Sequence, residues 1–562
     1  MAAEQMVSAP SSDRLRLAVQ PVRSREDRPD ARTLAGVFDH WAHLQPNHPA
    51  ILFDGQSISY AELRTQAFAI ARSLLELGIR RGDRVGALLS NQPEWVAMAV
   101  GAAAIGAIFV PLNTWYKRSE LAWTARHCGL STLICMDQFL KQDFGAILLE
   151  AFPGLAHSTP GDLRLDACPS LRLVTVIGRE VPGTFSWQQF LRFGEAQPPG
   201  AERAALATVT PDDLALILYT SGSTSEPKGV MLNHGGLTAN GWDIGARRRV
   251  GPDDRVWVGT PLFYALGSAN AWPATFMHGA TMVIQGAFEP GLTIDVVERT
   301  QASVYYGTGN MTMAILAHPD YRQSRIGSLK KGNAGMTAEY KRLTLVDMGM
   351  SEACGAYGLT ETYGHATVHE VDDPLEVKLH THGRTLPGMT LLIVDPVTGD
   401  PLAAGETGLV LIRGHVTPGY YLNPVENAKA LRADGFFDTG DLASIDADGQ
   451  LHFHSRIKEI IKTGGINVSP IEVEHLLTEH PDVLDAHVVP LPDSRRGQVI
   501  VAFIVAERAV SDSDIQAFVR QRAASFKVPH HILFRTADQL PRLASGKVAK
   551  ARLAEQAQAE LR

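Results

Sequence analysis

Between Tyr219 and Val230 the chain reads YTSGSTSEPKGV, which crowds Thr220, Ser221, Ser223, Thr224 and Ser225 around Gly222 with Lys228 close behind. Hydroxyls, backbone N–H groups that glycine allows to turn inward, and one ammonium make a donor set suited to the oxygens of a polyphosphate. The stretch is not a Walker loop, which needs Gly-x-x-x-x-Gly-Lys-Ser/Thr, because Pro227 precedes Lys228 and Gly229 follows it. Its setting argues against a plain Ser/Gly linker. LALILYT ahead of it has the apolar run of a buried strand, and Asn233 behind it is a candidate helix N-cap. A loop passing from buried strand to helix is a place for function.

The elements that must hold this loop follow an α/β rhythm. AELRTQAFAIARSLLELGI has helical periodicity, RVGALLS has strand length, and such alternation predicts largely parallel sheets. Trp95 to Leu112 is uncharged and long enough to raise the question of a membrane span. It is rich in Ala and Gly and ends at Pro111, which predicts a buried helix from about Pro93 and a short strand into Pro111. From about Met389 the texture shifts to short strands between turn signals, predicting a more antiparallel, barrel-like subdomain. Beyond Ser455, roughly a hundred residues of mixed helix and strand pattern suffice for a small separate domain. The first ~30 residues lack an apolar core and read as a loosely ordered leader, not a secretory signal.

Composition sets further bounds. The chain has 562 residues, enough for two or more domains, and its formal net charge of -8 offers no stripe for nucleic acid and no polybasic membrane patch. Arg247 to Arg249 form a short basic exception that reads as a solvated loop. Cys128, Cys135, Cys168 and Cys354 show no C-x-x-C spacing, which favours a reducing cytoplasm over a disulfide scaffold. His365, His369, His380 and His382 combine H-x-x-x-H and H-x-H spacings, but no cysteine or third organised motif accompanies them, so no zinc site is predicted.

YTSGSTSEPKG resembles the signature of the adenylate-forming superfamily, [ST]SG[ST]TGxPKG, with Ser225 where glycine is usual. Further motifs of that superfamily follow in order. YGLTET at Tyr357 to Thr362 resembles the YGxTE element, FFDTGDL resembles [WY]xTGD, and SRIKEIIKTGGINVSPIEVE from Ser455 resembles the hinge and start of the small domain. PRLASGKVAK at Pro541 resembles PRTxSGKxxR. The resemblance covers nearly the whole chain from about Thr33. It implies a large N-terminal AMP-binding domain over 31–454, built of parallel-sheet α/β subdomains plus a distorted β-barrel. A small mobile α+β domain over 455–562 would follow a hinge at 456–458.

The resemblance also assigns roles. Lys547, Thr360 and Glu361 would be catalytic, with Glu361 the Mg2+ ligand, as a hard carboxylate oxygen suits that cation. Thr220, Ser221, Gly222, Ser223, Thr224 and Lys228 would form the phosphate loop. Ala334, Gly335, Tyr357, Gly358, Asp441 and Arg456 would bind AMP; Tyr357 offers a flat face to a purine and Asp441 can accept from both ribose hydroxyls. Lys458 would be the hinge, and Gly464 and Gly465 would line the path of CoA. Phe263, Tyr264, Gly307 and Gly309 would line the acyl pocket.

The implied enzyme is an ATP-dependent acyl-CoA synthetase, with Mg2+ and with CoA as co-substrate. Tyr264 follows Phe263 where domains that activate α-amino acids carry an aspartate, so a buried ammonium would lack its counter-charge and an acid without an α-amino group is favoured. A ligase that loads an acyl carrier protein shares most of these motifs and stays open, as does the choice between monomer and homodimer. A non-catalytic acyl-nucleotide sensor is disfavoured by the presence of Lys547, Glu361 and Asp441.

Overall fold

The computed structural model describes residues 28–220, 227–457, 460–463, 466–493, 496–523, 525–543 and 547–561. Most of the leader expected over 1–30 therefore lies outside the described residues.

Pro93–Ala104 forms a helix with Pro93 in its first turn and eleven of its residues buried, and Ile108–Pro111 follows as a strand, as the Ala/Gly-rich composition predicts. This helix packs on Tyr60–Glu76, whose start is fixed by a Ser59/Glu62 capping box and whose inner face buries Leu63, Ala67, Phe68, Ile70 and Leu74. The strand belongs to a seven-stranded sheet ordered Lys228–Asn233, Leu214–Thr220, Ile108–Pro111, Arg84–Leu88, Thr132–Met136, Leu173–Ile177, Phe185–Ser186. All its neighbours are parallel except the first pair, which is antiparallel.

A second sheet runs Lys331–Gly332, Val304–Tyr306, Arg255–Val258, Thr281–Ile284, Pro49–Phe53, Gln56–Ser59, again parallel apart from its last pair. One apolar core joins residues of both sheets and the helices between them. Thr390–Val394, Gly408–Arg413, Phe437–Ile445 and Leu451–Arg456 form an antiparallel four-stranded meander. The C-terminal region pairs Val483–Asp493 with Gly497–Ala506 and adds His531–Phe534 in parallel, with separate apolar clusters that seat the helices Pro470–Thr478, Asp512–Arg522 and Lys550–Glu560. This is the α/β architecture with a small α+β unit that the pattern predicts.

Two expectations need correction. The phosphate-loop candidate does not pass directly from strand to helix: Lys228–Asn233 folds back on Leu214–Thr220 as an antiparallel strand, with Thr220 opposite Lys228. Only then does the helix His234–Arg247 begin, and Asn233 caps it as expected, accepting from Gly236 N at 2.7 Å. Thr220 and Lys228, which flank the candidate loop, are thus held by sheet pairing.

The second correction is the arginine run. Arg247 and Arg248 close the same helix and are buried at 5% and 0% exposure, not solvated. Arg247 donates to the carbonyls of Val368 and Thr385 and pairs with Glu370 at 3.0 Å, because the strand Thr367–Val368 and its flanks pass over the helix end. Only Arg249, paired with Asp372, reaches the surface. The four cysteines are free and buried. Among the described residues no helix is long and apolar enough to cross a membrane.

Candidate active site

Two consecutive strands and one segment far away in sequence converge on Asp441. Phe437–Ile445 and Leu451–Arg456 are antiparallel neighbours, and their register sets Asp441 opposite Arg456. Arg456 Nε lies 3.2 Å from Asp441 Oδ1. From the other side Tyr357 Oη donates to Asp441 Oδ2 at 2.7 Å. Asp441 is 1% exposed and Tyr357 2%, whereas more than half of the Arg456 side chain faces solvent. Burial, reinforced by the adjacent carboxylate, pushes the Tyr357 phenol well up, so it stays a hydrogen donor at any working pH. Phe453 already covers one ring face of Tyr357, with centroids 5.7 Å apart and planes tilted by 26°.

Thr360 and Glu361 follow Tyr357 on a single 3-10 turn, Thr360–Thr362, closed by Leu359 N donating to Thr362 Oγ1 at 2.9 Å. Glu361 Oε1 accepts from Tyr420 Oη at 2.8 Å. The Tyr420 ring in turn lies 5.2 Å from the Lys228 ammonium, so one tyrosine links the candidate metal ligand to the lysine of the phosphate hairpin. Lys228 is ion-paired with Glu426, which Asn423 and Pro424 place in the first turn of the helix Pro424–Ala430. Lys228 and Lys429 together hold the Glu426 carboxyl down to about 2. Tyr420 and Glu426 escape a reading by sequence, since neither belongs to a spaced motif; only the short Asn-Pro-x-Glu start of the helix that carries Glu426 is visible there.

The other candidates fall around these groups. Ala334 is fully buried, its N–H donating to Cys354 O at 3.1 Å, and Gly335 turns at φ +99°. Gly358 must lack a side chain because a Cβ there would come within 2.3 Å of Gly364 O and 2.5 Å of His365 Cα. At Gly307 and Gly309 the space that a missing side chain suggests is filled by the protein itself: a Cβ would meet the Tyr305 and Tyr340 rings at 2.2 Å. Gly307 O accepts from Asn333 Nδ2 at 3.0 Å, tying this segment to the Ala334–Gly335 turn.

Phe263 and Tyr264 form an aromatic corner with Trp115, Phe263 edge-to-face with centroids 5.4 Å apart and Tyr264 tilted at 6.2 Å. Burial raises the Tyr264 phenol to about 12, so it stays protonated, and Trp115, a third ring here, carried no motif to reveal it. His365, His369 and His382 each spend a ring nitrogen on a hydrogen bond, to Gly364 O, Thr381 Oγ1 and Met336 O, and His380 sits beside Glu376.

Lys547 stands exposed ahead of the last helix, its carbonyl accepting from Leu543 N at 2.7 Å. Arg542 of the same motif acts electrostatically on Tyr340, and burial, then Asp485, raises the Glu339 carboxyl, so an edge of the C-terminal unit faces the segment that carries Ala334 and Gly335. Ser221, Gly222, Ser223, Thr224, Lys458, Gly464 and Gly465 lie outside the described residues.

A family of AMP-binding enzymes matches residues 38–421, and the C-terminal domain of the same enzymes matches 472–547. The chain is 30% identical to the medium-chain acyl-CoA ligase ACSF2 of Bos taurus mitochondria, covering 94% of this chain and 88% of that one. It is 32% identical to a feruloyl-CoA synthase of an Amycolatopsis species over 91% of this chain and 96% of that one. The crystal structure of the anthranilate CoA ligase AuaEII in complex with anthranoyl-AMP superposes with a TM-score of 0.82 at 25% identity, covering 96% of this chain and all of that one. With this geometry and these likenesses, the chain belongs to the AMP-binding enzymes and is an AMP-forming acid–CoA ligase.

Proposed function

We propose that the chain activates a carboxylic acid lacking an α-amino group, first as an acyl-adenylate from ATP and then as the CoA thioester. The observation that carries this reading is the convergence of Tyr357, Asp441 and Arg456 on one buried carboxylate. A desolvated carboxylate held by one phenol and one guanidinium has the lone pairs and the fixed position to accept from both hydroxyls of a ribose. Tyr264 beside Phe263, where an ammonium would need an acidic partner, supports an acid without that group, and the relatives named for medium-chain and feruloyl acids agree with it.

In the first half-reaction the substrate carboxylate attacks the α-phosphate and pyrophosphate leaves. Thr220 and Lys228, opposite one another on paired strands, hold phosphate oxygens together with Ser221, Gly222, Ser223 and Thr224. Thr360 and Lys547 neutralise charge on the α-phosphate, where preorganised donors contribute most. Glu361 fits Mg2+: it is an oxygen ligand on a rigid turn, Tyr420 binds only its Oε1, and Mg2+ commonly takes one or two carboxylates plus substrate phosphates. When bound, Mg2+ offsets the charge of the polyphosphate. The small domain, 455–562, then rotates about Lys458, withdraws Lys547 and brings Gly464 and Gly465 to the site for thiol attack.

The test is pyrophosphate release from the purified chain with ATP and a panel of aliphatic, aryl and alicyclic acids, followed by transfer to CoA or to a phosphopantetheinylated carrier protein. Acid-dependent release followed by CoA thioester formation is the expected result. Transfer to the carrier alone would replace the acceptor, and release independent of any acid would refute the reading.

A further inference from the structure

Arg248 and Arg247 are neighbours, equally deep in the protein, and treated differently by it. Arg247 is satisfied by two carbonyls and a carboxylate. Arg248, 0% exposed, has among the described residues a single hydrogen-bond partner, Nη2 to His365 Nε2 at 3.1 Å, while its Nε and Nη1 reach no acceptor. No carboxylate of a described residue lies within ion-pair distance of it. His365 cannot supply negative charge. Its Nδ1–H donates to Gly364 O at 2.7 Å, which leaves Nε2 as a lone-pair acceptor, and burial beside the guanidinium pushes its protonation well down.

The groups around this guanidinium are buried and polar. It lies 5.0 Å from the centroid of the Tyr306 ring, whose buried hydroxyl interacts only loosely with the guanidinium and has no closer hydrogen-bond partner among the described residues. Asn270, on the π-helical turn Leu266–Ala271 that follows Phe263 and Tyr264, is also 0% exposed with neither amide atom paired. It packs against the backbone beside His365, since a Cβ on Gly364 would meet Asn270 Nδ2 at 2.8 Å. Three elements thus bring incompletely paired polar groups, most of them able to donate, to one buried place: the end of the helix His234–Arg247, the π-turn, and the strand Val304–Tyr306. That place adjoins the candidate acyl segments on two sides and backs on Gly358 of the nucleotide motif through Gly364 and His365.

A guanidinium without a counter-charge in such a place is costly, and an acceptor-only group with two oxygens would satisfy the set. We propose that Arg248, with Tyr306 and Asn270, receives a second carboxylate at the far end of the acyl chain, so that the preferred substrate is a dicarboxylic acid activated at one end. This rests on the acid–CoA ligase reading above and names the substrate class for it. Arg248 is a specificity residue here, remote from the reacting carboxylate.

The experiment measures acid-dependent pyrophosphate release over a graded series of α,ω-dicarboxylic acids, the matching monocarboxylic acids and the matching ω-oxo acids, with the wild-type chain and with Arg248→Met, Arg248→Lys and Tyr306→Phe. The wild type should favour one diacid over its monoacid by about 10²-fold in kcat/KM, the worth of a desolvated charge-assisted pair. Arg248→Met should bring that ratio close to one, chiefly through KM for the diacid, and Arg248→Lys should restore part of it. Should Arg248→Met fail to fold, a ratio lowered about tenfold in Tyr306→Phe carries the same weight. Equal or better use of monoacids by the wild type, a preference for ω-oxo acids over diacids, or an unchanged ratio in the variants would overturn the assignment while leaving the ligase reading intact. Release from none of the acids would overturn both.

Discussion

Glu426→Gln is the substitution that most directly tests how the phosphate hairpin works. Lys228, proposed to hold phosphate oxygens, is ion-paired with Glu426, so ATP has to compete with a carboxylate for it. The competition can be sized. Lys228 first, then Lys429, holds the Glu426 carboxyl at about 2 against an ordinary 4.5, a gap worth about 3 kcal/mol if the charges were fully desolvated. The Glu426 side chain retains 18% exposure and Lys429 66%, so solvent screens part of this and Lys429 claims another part. About 1–1.5 kcal/mol is left for Lys228, or roughly tenfold in an equilibrium constant.

The depressed carboxyl means the pair is intact at any pH above 4.5 and is lost only as pH falls through about 2, so at neutral pH the full effect applies. Neutral glutamine keeps the shape and one acceptor but removes the charge. Titrating Mg-ATP into the purified variant by calorimetry should give binding up to about tenfold tighter, with slightly lower thermal stability from the lost pair. Unchanged or weaker binding would refute the idea that Glu426 competes for Lys228, and would make it instead the group that aims the lysine.

Asp441→Asn should raise KM for ATP by about 10²-fold through two weakened ribose contacts, measured by pyrophosphate release. The same change should cost only about 1–2 kcal/mol of stability, because Tyr357 can still donate to the amide oxygen and Arg456 is open to solvent. Lys547→Ala should abolish acyl-AMP formation while thioester formation from supplied acyl-AMP persists, read by separate half-reaction assays. Burial pulls the Lys341 ammonium to about 7, with Nζ donating to the carbonyls of Thr381 and Leu379. The folded chain therefore binds fewer protons than the unfolded one between pH 7 and 10.5, and stability rises with pH across that window by up to about 1.4 kcal/mol per pH unit. Lys341→Met should flatten that rise in thermal melts; an unaltered slope would mean the ammonium is relieved by another group.

What could be read in advance was what local chemistry determines. The helix at Pro93, the cap at Asn233 and the strand LALILYT follow from residue type and periodicity within a few positions. The pairing of Tyr357, Asp441 and Arg456 was foreshadowed only by motif order, since nothing local to any one of them requires the other two. The misreadings have different causes. The strand between the loop and its helix pairs with its sequence neighbour Leu214–Thr220 and, on its other side, with the distant stretch from Gly419 to Tyr421, whereas the buried guanidinium in GARRRVG depends on the distant stretch from His365 to Glu370 passing over the helix end.

Arg248 shows why such residues are invisible to composition yet informative in the fold. Arginine in a run of three on a helix end is ordinarily solvated, because the desolvation cost of a lone guanidinium is several kcal/mol. The fold meets that cost for Arg247 with Glu370 and leaves Arg248 with one neutral histidine a single residue along the chain. Packing alone does not explain the difference, since an apolar side chain of similar volume would fill the position beside Tyr306 without that cost. A charge held unpaired where an apolar group would serve is most economically explained by a partner that arrives with the substrate. On that view the acyl end of the site is selective through one desolvated cation, and the nucleotide end through one desolvated anion, Asp441.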